Sequence, residues 1–526
     1  MLVVLSCVAV GVSLLPLVYL GVRGTETGWG SILTIVLTER VAAFTIRSLA
    51  LAAVVGAASL VIGVASAVLV TRTDLPGRRH FAVLAALPLA VPSYVAAYSW
   101  LALGSLWPTP VRLEGFGTAA VVLTLCTYPY VYLPVAAALT GVDRSQEEVA
   151  RSLGRTPVAT LFSLTLRQVR PAILGGGLLA VLYVLSDFGA VAILRVDTFT
   201  RAIFTAFNVG FDRGTAVGLS SILVLVTVVI LVAEGRTRAA SERVARVGSG
   251  VRRPHVAVPL GAARPFATAA FAGVLILALG LPLLAMIRWF GEGISRPGSI
   301  AAVLTAMGGS LAVAATGTML TMALAIPLGL LVARVPGRFS ALLNRTVYIA
   351  HALPGVVVGL SLVFFGVTFA YPLYQTTWML ALAYAVLFLP LGVGAVAGAA
   401  AHAPPVLEDV ARSLGHGPWR TFRRVTAPLT LPGVGMGAAL VLLTIMKELP
   451  ATLMLRPTGL ETMATRLWSH TEVGSYAAAA PYAVLLVLLA AVPTWALVAG
   501  SGVIGVRDGA SPRGQGRSKG AQAWSP

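Results

Sequence analysis

An eight-residue polar motif occurs twice in the chain and divides it into two halves. The copies are EEVARSLG at Glu147–Gly154 and EDVARSLG at Glu408–Gly415, an offset of 261 residues from 147 to 408 in a chain of 526. Each copy lies between clusters of apolar segments. Because an internal repeat marks a structural unit that occurs more than once, the motif predicts two homologous halves with the same polar helix in the same place.

The apolar content indicates what kind of unit is repeated. Hydrophobic residues make up 57% of the sequence and charged residues only 11%. Apolar runs of about 18 or more residues predict membrane-spanning helices. The predicted fold class is an all-α polytopic membrane protein with about 12 transmembrane helices, arranged as two parallel six-span repeats. The spans are predicted at about 1–21, 48–70, 81–104, 117–140, 172–193, 216–234, 266–288, 307–333, 346–370, 377–400, 432–453 and 476–503.

The charge distribution predicts the orientation and excludes another class of partner. The net charge is +19, and Arg recurs in alternate loops, where Lys and Arg mark the cytoplasmic side. This places both termini and both motif loops in the cytoplasm. No aromatic–basic module is visible, which disfavours nucleic acid as a partner. The two cysteines, Cys7 and Cys126, lie in apolar runs, which disfavours a disulfide framework or a thiolate metal site.

Four segments with different roles follow from these patterns. Residues 1–235 form the first repeat, with a coupling loop at about 141–171, and residues 266–506 form the second, with a coupling loop at about 401–431. The Arg-rich residues 236–265 form a cytoplasmic linker, and the polar, Gly- and Ser-rich residues 507–526 form a disordered cytoplasmic tail.

Each motif predicts a helix–glycine–helix elbow. Acidic residues favour the first turn of a helix, Gly154 suits the left-handed position that ends one, and Pro157 suits the first position of the next. The exposed apolar face of such an elbow fits a groove on a partner protein; the alternative is a linker lying on the membrane surface. The residues that carry the elbow pattern are Glu147, Glu148, Ala150 and Gly154 in the first copy and Glu408, Asp409, Ala411 and Gly415 in the second.

The elbow sequence resembles the cytoplasmic "EAA" loop in permease subunits of bacterial ABC importers. The resemblance rests on Glu148-Val149-Ala150 followed by Gly154, and on Asp409-Val410-Ala411 followed by Gly415. It departs from the family pattern at Val149, at Asp409 and at Arg167, where Pro is usual. The resemblance implies a type I ABC importer-like fold in the bacterial cell membrane, with each elbow inserted into one of two ATPase subunits.

A second resemblance concerns the substrate. The segments Leu185–Phe204 and Met446–Trp468 resemble the fused two-domain permeases of ferric-iron importers, while thiamine and phosphonate importers have similar permeases. The resemblance implies an extracytoplasmic solute-binding protein as a further partner. It also implies no cofactor on this chain, with ATP and Mg held by the ATPase. The sequence contains no G-x-x-x-x-G-K-[ST] phosphate loop, so ATP hydrolysis is expected on a separate subunit.

Two carboxylates lie at membrane depth and at the same offset as the motifs. Asp187 and Glu448 each fall in the predicted fifth span of a half. Ionisable groups at this depth face a cavity or pair with one another, so they are candidates for the translocation path. Capping a broken helix beside Gly189 or Pro450, or an ion pair between Lys447 and Glu448, is the alternative. No metal site is assigned.

Tyr128 and Tyr132 are the remaining candidates for the path, because they share a helix face in mid-span. Packing within the bundle is the alternative for both. Pro88, Pro92, Pro134, Pro354 and Pro390 are predicted to kink their spans. An ion-gradient secondary transporter is the competing class of function; it would use the carboxylates but not two elbows.

Overall fold

The computed structural model describes most of the chain between residues 2 and 500. The described residues are 2–28, 30, 34, 37–105, 112–142, 144–208, 210, 212–247, 258–295, 299–351 and 353–500. Within them the chain is helical, and its only strand-like pairing is an isolated parallel bridge between Thr73 and Val258. The predicted tail, 507–526, lies outside the described residues.

The first repeat consists of long apolar helices interrupted by short ones. Its α-helices are Leu2–Thr27, Glu39–Arg72, Arg78–Leu84, Ser93–Gly104, Phe116–Thr140, Arg144–Ser152, Pro157–Thr160, Leu166–Gln168, Arg170–Ser186, Gly189–Ile193, Phe199–Asn208 and Arg213–Val247. A 3₁₀ turn lies at Leu87–Ala90 and a π-helical turn at Leu161–Thr165.

The second repeat follows the same order of elements. Its α-helices are Arg264–Leu275, Leu281–Ile294, Ser299–Arg334, Arg338–His351, Gly355–Phe369, Thr377–His402, Pro405–Ser413, Pro418–Thr421, Ala427–Met446, Pro450–Leu455, Met463–Glu472 and Tyr476–Gly500. Its 3₁₀ turns lie at Gly261–Ala263 and Tyr371–Leu373, and its π-helical turns at Ile276–Gly280 and Phe422–Thr426.

The helices account for the predicted membrane spans. Among the described residues, eight helices are long and apolar enough to cross a membrane, and up to eleven if each of three bent pairs counts as one span. The shorter apolar helix Tyr476–Ala491 occupies the place of the last predicted span. Large apolar side chains such as Ile46 and Val61 are exposed on these helices, which suits a surface that faces lipid. The chain is therefore an all-α polytopic membrane protein.

The predicted spans at 81–104, 172–193 and 346–370 each contain a break in the helix. The chain bends by 96° between residues 78–90 and 93–104, and by 97° between 338–350 and 355–369. The third prediction joined two elements, since one helix ends at Ser186 and another begins at Gly189. Pro92 and Pro354 precede the second limbs of the bent pairs, where proline disfavours continuation of the helix before it. Pro134 and Pro390 instead lie inside continuous helices.

Matching hydrogen bonds show that the two repeats share one internal arrangement. Ser48 Oγ accepts from the Phe199 amide at 3.0 Å, and Ser310 Oγ accepts from the Met463 amide at 2.8 Å. Each bond joins the second membrane-spanning helix of a repeat, Glu39–Arg72 or Ser299–Arg334, to a short helix near the end of that repeat. The residues at these four positions are thus structural equivalents, and the numbering of the two halves can be aligned through them.

Each repeat also packs its first helix against the other repeat. Tyr19 in helix Leu2–Thr27 stacks on Phe364 of the second repeat with ring centroids 6.2 Å apart. In the other direction, Trp289 Nε1–H donates to the Ala102 carbonyl of the first repeat at 3.2 Å. Because the first spanning helix of each repeat packs against the other repeat, the two halves form one helical bundle.

The segment predicted as a linker begins as a helix. Helix Arg213–Val247 continues past the predicted boundary at 235. Where the description resumes at Val258, this residue pairs with Thr73, and Asp74 Oδ1 accepts from the Leu260 amide at 2.8 Å. The end of the linker is therefore attached to the first repeat.

Candidate functional site

The first elbow, residues 144–168, has the geometry that its sequence predicts. Helix Arg144–Ser152 is followed by Gly154, whose φ of 83° is left-handed. The Gly154 amide donates to the Arg151 carbonyl at 3.0 Å and the Arg155 amide to the Ala150 carbonyl at 3.2 Å. This pair of bonds is a Schellman closure, which glycine favours because it has no Cβ.

The second elbow, residues 405–426, repeats the closure. Helix Pro405–Ser413 ends at Gly415, with φ of 81°. The Gly415 amide donates to the Arg412 carbonyl at 3.0 Å and the His416 amide to the Ala411 carbonyl at 3.1 Å. The predicted left-handed glycines are confirmed at both elbows, as is a proline at the start of each following helix.

A π-helical turn follows in each elbow at the same offset. It covers Leu161–Thr165 in the first and Phe422–Thr426 in the second. Such turns are rare and are frequently found at functional sites. Each one ends on a threonine whose hydroxyl bonds back to the elbow: Thr165 donates to Glu147 at 2.8 Å, and Thr426 donates to Glu408 at 3.0 Å.

Each of the same two glutamates is paired with an arginine, which is buried in the first repeat and partly buried in the second, an arrangement here called the latch. In the first repeat, Arg72 Nη1 lies 3.0 Å from the Glu147 carboxylate, and Arg72 Nη2 donates to the Leu139 carbonyl at 2.7 Å. The side chain of Arg72 is 5% exposed and that of Glu147 18%. Arg72 is the last residue of helix Glu39–Arg72, so the latch fixes the elbow to the end of that long helix.

The second repeat has the same latch. Arg334 Nη2 lies 2.8 Å from Glu408 Oε1, and both terminal nitrogens of Arg334 donate to the Ala403 carbonyl at 3.1 Å. Arg334 is the last residue of helix Ser299–Arg334. The sequence alone did not identify either arginine or either threonine as part of an elbow. Each threonine lies 18 residues after its motif glutamate, and this repetition is the signal that could have identified the threonines.

The outer surface of each elbow is apolar and exposed. Leu153 is 79% exposed in the first elbow, and Leu414 is 73% and Trp419 71% exposed in the second. Glu148 and Asp409 are exposed beside them, whereas Ala411 is buried and Ala150 is half-buried. The latch therefore lies on the inner side of each elbow, and the exposed apolar side chains lie on its outer side.

The two carboxylates at membrane depth cap short helices. Asp187 Oδ1 accepts from the amides of Ala190 and Val191 at 2.9 and 3.4 Å, and Ser93 Oγ donates to Oδ2. Asp187 is buried. These partners come from helix Gly189–Ile193 and from helix Ser93–Gly104, the second limb of the first bent pair. Asp187 therefore connects two places where a span is interrupted.

Glu448 occupies the equivalent position. Its two oxygens accept from the amides of Ala451 and Thr452 at 2.9 and 3.0 Å, and the Thr452 hydroxyl donates to it at 2.7 Å. Lys447 donates instead to the Leu89 carbonyl at 3.5 Å, and no ion pair between Lys447 and Glu448 is found in the described part of the chain. Of the alternatives stated for this pair of carboxylates, helix capping is the one that these contacts favour.

Tyr128 and Tyr132 lie in the core of the first repeat. Both are fully buried, and the Tyr132 hydroxyl donates to the Ala82 carbonyl at 3.0 Å. The Tyr128 hydroxyl has no hydrogen-bond partner among the described residues. Both tyrosines belong to one packed hydrophobic cluster, which favours the packing interpretation. Among the described residues, no group of three or more His, Cys, Asp or Glu could hold a metal.

Comparison with known proteins decides the family. The sequence matches the family described as "Binding-protein-dependent transport system inner membrane component" over residues 59–244 and 325–499. The two matched regions each contain one elbow. The chain belongs to this family. It is thus a transport permease and a multi-pass membrane protein, and its duplication is that of the family unit itself.

Individual relatives of this permease differ in how much of it they cover. It is 35% identical over 486 residues to "Fe(3+)-transport system permease protein FbpB 2" of Haemophilus influenzae, a match over 92% of this chain and 95% of the relative. It is 35% identical over 150 residues, 28% of this chain and 56% of the relative, to "Putative 2-aminoethylphosphonate transport system permease protein PhnV" of Salmonella typhimurium. Similarity to "Putrescine transport system permease protein PotI" of Escherichia coli is 30% over 177 residues, 31% of this chain and 61% of the relative.

Proposed function

We propose that this permease is the membrane subunit of an ATP-driven ABC importer for ferric iron. The observation that carries the proposal is the match to the Haemophilus Fe(3+)-transport permease, which extends over nearly the full length of both chains. The relatives named for aminoethylphosphonate and putrescine match less than a third of this chain. The full-length match includes both repeats and the connection between them.

The two elbows are the proposed docking sites for two copies of an ABC ATPase. Each presents exposed apolar side chains on its outer side and holds a glutamate in a latch on its inner side. A force applied to the docked elbow would reach a long helix of the same repeat through the latch. The coupling residues are then Glu147, Glu148, Ala150, Gly154, Glu408, Asp409, Ala411 and Gly415, with Arg72 and Arg334 as positioning residues. ATP and Mg belong to the ATPase, and this chain holds no cofactor.

The proposed orientation puts both elbows and both termini in the cytoplasm. Arg-rich loops support it through the positive-inside rule. An extracytoplasmic solute-binding protein would then deliver the substrate to the opposite face. In a background lacking native cysteines, Leu153→Cys should be protected from an impermeant thiol reagent in intact cells, and Thr458→Cys should be labelled, because both positions are exposed at opposite ends of the bundle. Labelling of Leu153→Cys from outside would reverse the orientation.

Uptake measurements test the substrate. The permease, an ABC ATPase and a solute-binding protein encoded beside it would be expressed in cells that lack endogenous iron uptake. We expect ATP-dependent accumulation of radiolabelled ferric iron, and none of 2-aminoethylphosphonate or putrescine. Accumulation that persists without the ATPase but collapses with the ion gradient would favour a secondary transporter instead.

A further inference from the structure

A chamber lies between the two repeats, at the end of the bundle opposite the elbows. Its volume is about 320 Å³, and both repeats line it. Glu114 on its wall precedes helix Phe116–Thr140, whose other end leads into the first elbow. At 1.5 Å per residue, this helix of 25 residues separates the chamber from the elbow face by about 37 Å.

Three aromatic rings that contact one another line part of the chamber. The ring centroid of Phe188 lies 4.6 Å from that of Phe204 and 5.2 Å from that of Trp468, and the last two are 6.5 Å apart. Phe204 and Trp468 each lie five residues after the equivalent positions Phe199 and Met463. Because equivalent residues that contact each other lie beside a two-fold axis, these rings lie between the two halves.

The wall of the chamber carries charges of both signs. Its acidic residues are Glu114 and Glu472, from different repeats, and its basic residues are Arg195 and Arg201. Arg195 lies 3.8 Å from Glu114 and is 67% exposed. Its φ of 57° is left-handed, which is unfavourable for a residue with a Cβ and is found most often at functional sites.

We propose that this chamber receives a metal ion still coordinated by a small oxyanion, and not the bare ion. This inference rests on the proposed function and concerns the form in which the cargo enters. Guanidinium groups repel a bare trivalent cation but bind carboxylate or phosphate oxygens. The carboxylates and the Tyr476 phenol, which also line the chamber, supply hard oxygen ligands to the metal.

The size of the chamber supports the same cargo. The chamber volume of about 320 Å³ is many times the roughly 10–15 Å³ that a single water-sized group requires, so the chamber has room for more than one bare ion. The described residues contain no cluster of three or more His, Cys, Asp or Glu that could replace the ligands of a metal. The ion would therefore keep ligands of its own, and the site would hold it weakly enough for transit.

Sensitised terbium luminescence tests the proposal on the full chain in lipid nanodiscs. Tb³⁺ is a trivalent ion that prefers oxygen ligands, and its emission rises when a tryptophan such as Trp468 lies close to it. The probes are Tb³⁺ alone and Tb³⁺ as its citrate complex. We expect saturable sensitised emission with the complex, little with Tb³⁺ alone, and loss of the signal in Trp468→Phe.

Substitution of Arg195 shows which part of the cargo the chamber recognises. We expect Arg195→Gln to weaken binding of the citrate complex about tenfold or more, as loss of a hydrogen bond to a charged group does. Arg456 is the equivalent of Arg195 in the second repeat and does not line the chamber, so Arg456→Gln is the matched control and should bind within about twofold of wild type.

Two results would overturn the proposal. Emission from Tb³⁺ alone that grows stronger in Arg195→Gln would identify a bare-cation site. Absence of any Trp468-dependent emission with either probe would show that the chamber does not receive the cargo. A different experiment tests the proposed function. If cells take up ferric iron equally well with and without this chain, the proposed function is wrong, whatever the terbium measurements show.

Discussion

The two elbows of this permease are nearly identical, whereas the opposite ends of its two repeats differ. Both elbows have a left-handed glycine, a π-helical turn and a glutamate bound by an arginine and a threonine. At the opposite end, Glu114 lines the chamber beside Arg195, while its equivalent Gln375 is hydrogen-bonded to Thr458 at 3.3 Å.

This difference indicates what each face of the molecule contacts. Identical partners related by a two-fold axis require identical docking surfaces, which suits two ATPase copies at the elbows. A single partner that binds across the axis contacts different surfaces on the two repeats, which suits one solute-binding protein at the opposite face. Equivalent substitutions should therefore have equal effects at the elbows and unequal effects at the other end.

The largest effect is expected at the latch. Removing one partner of a buried ion pair costs about 3–5 kcal/mol, so Arg72→Gln and Arg334→Gln should each nearly abolish uptake. ATPase activity in the assembled transporter should persist but no longer respond to substrate. Arg412 also lies beside Glu408 but is 58% exposed, and Arg412→Gln should have little effect. Normal coupling in either latch variant would contradict the mechanical role of the latch.

A smaller and again equal effect is expected at the elbow glycines. A Cβ at Gly154 or Gly415 meets no atom within 4 Å, so the cost of Gly→Val is that of the left-handed backbone, roughly 1–2 kcal/mol. Uptake should fall severalfold in both variants, and Asn should restore part of it because Asn tolerates this conformation. Gly417 has φ of −66°, and Gly417→Ala is the neutral control. Unequal effects of the two valine substitutions on uptake would break the equivalence of the elbows.

The carboxylates at membrane depth should affect folding more than flux. Loss of a helix cap costs about 0.5–2 kcal/mol, so Asp187→Ala and Glu448→Ala should lower the amount of inserted protein and leave uptake per inserted molecule near normal. Quantifying the protein in membranes alongside uptake separates the two quantities. Reduced substrate uptake per inserted molecule at normal protein levels would instead indicate that Asp187 and Glu448 line the translocation path.

The smallest effect on stability is expected at the end of the bundle opposite the elbows. Substitutions there also test whether the two repeats differ at that end. Exposed ion pairs contribute less than about 1 kcal/mol, so Glu114→Gln should leave the thermal stability of the permease unchanged while lowering uptake. Gln375→Ala, at the equivalent position, should change neither. Equal losses of uptake in the two variants would indicate that the two repeats are equivalent at this end, as they are at the elbows.

The features that could be predicted from the sequence are those that depend on neighbouring residues and occur in both repeats. The glycines at 154 and 415 and the prolines that follow them were identifiable because capping depends on neighbouring residues. The latch was missed because Arg72 and Glu147 are 75 positions apart in sequence, and no local pattern reports such a contact. The bends near Pro92 and Pro354 were placed correctly as kinks but not as breaks of more than 90°, since the packing of neighbouring helices decides how far a proline bends a span.

The central claim is that each elbow docks one ATPase. Leu153→Cys and Leu414→Cys would be introduced singly and together after replacing Cys7 and Cys126 by Ser, and the assembled transporter treated with a short thiol cross-linker that reaches a cysteine in the ATPase groove. Each single variant should give a product with one ATPase, and the double variant a product with two ATPases on one permease chain. A double variant that never captures more than one ATPase would contradict the claim.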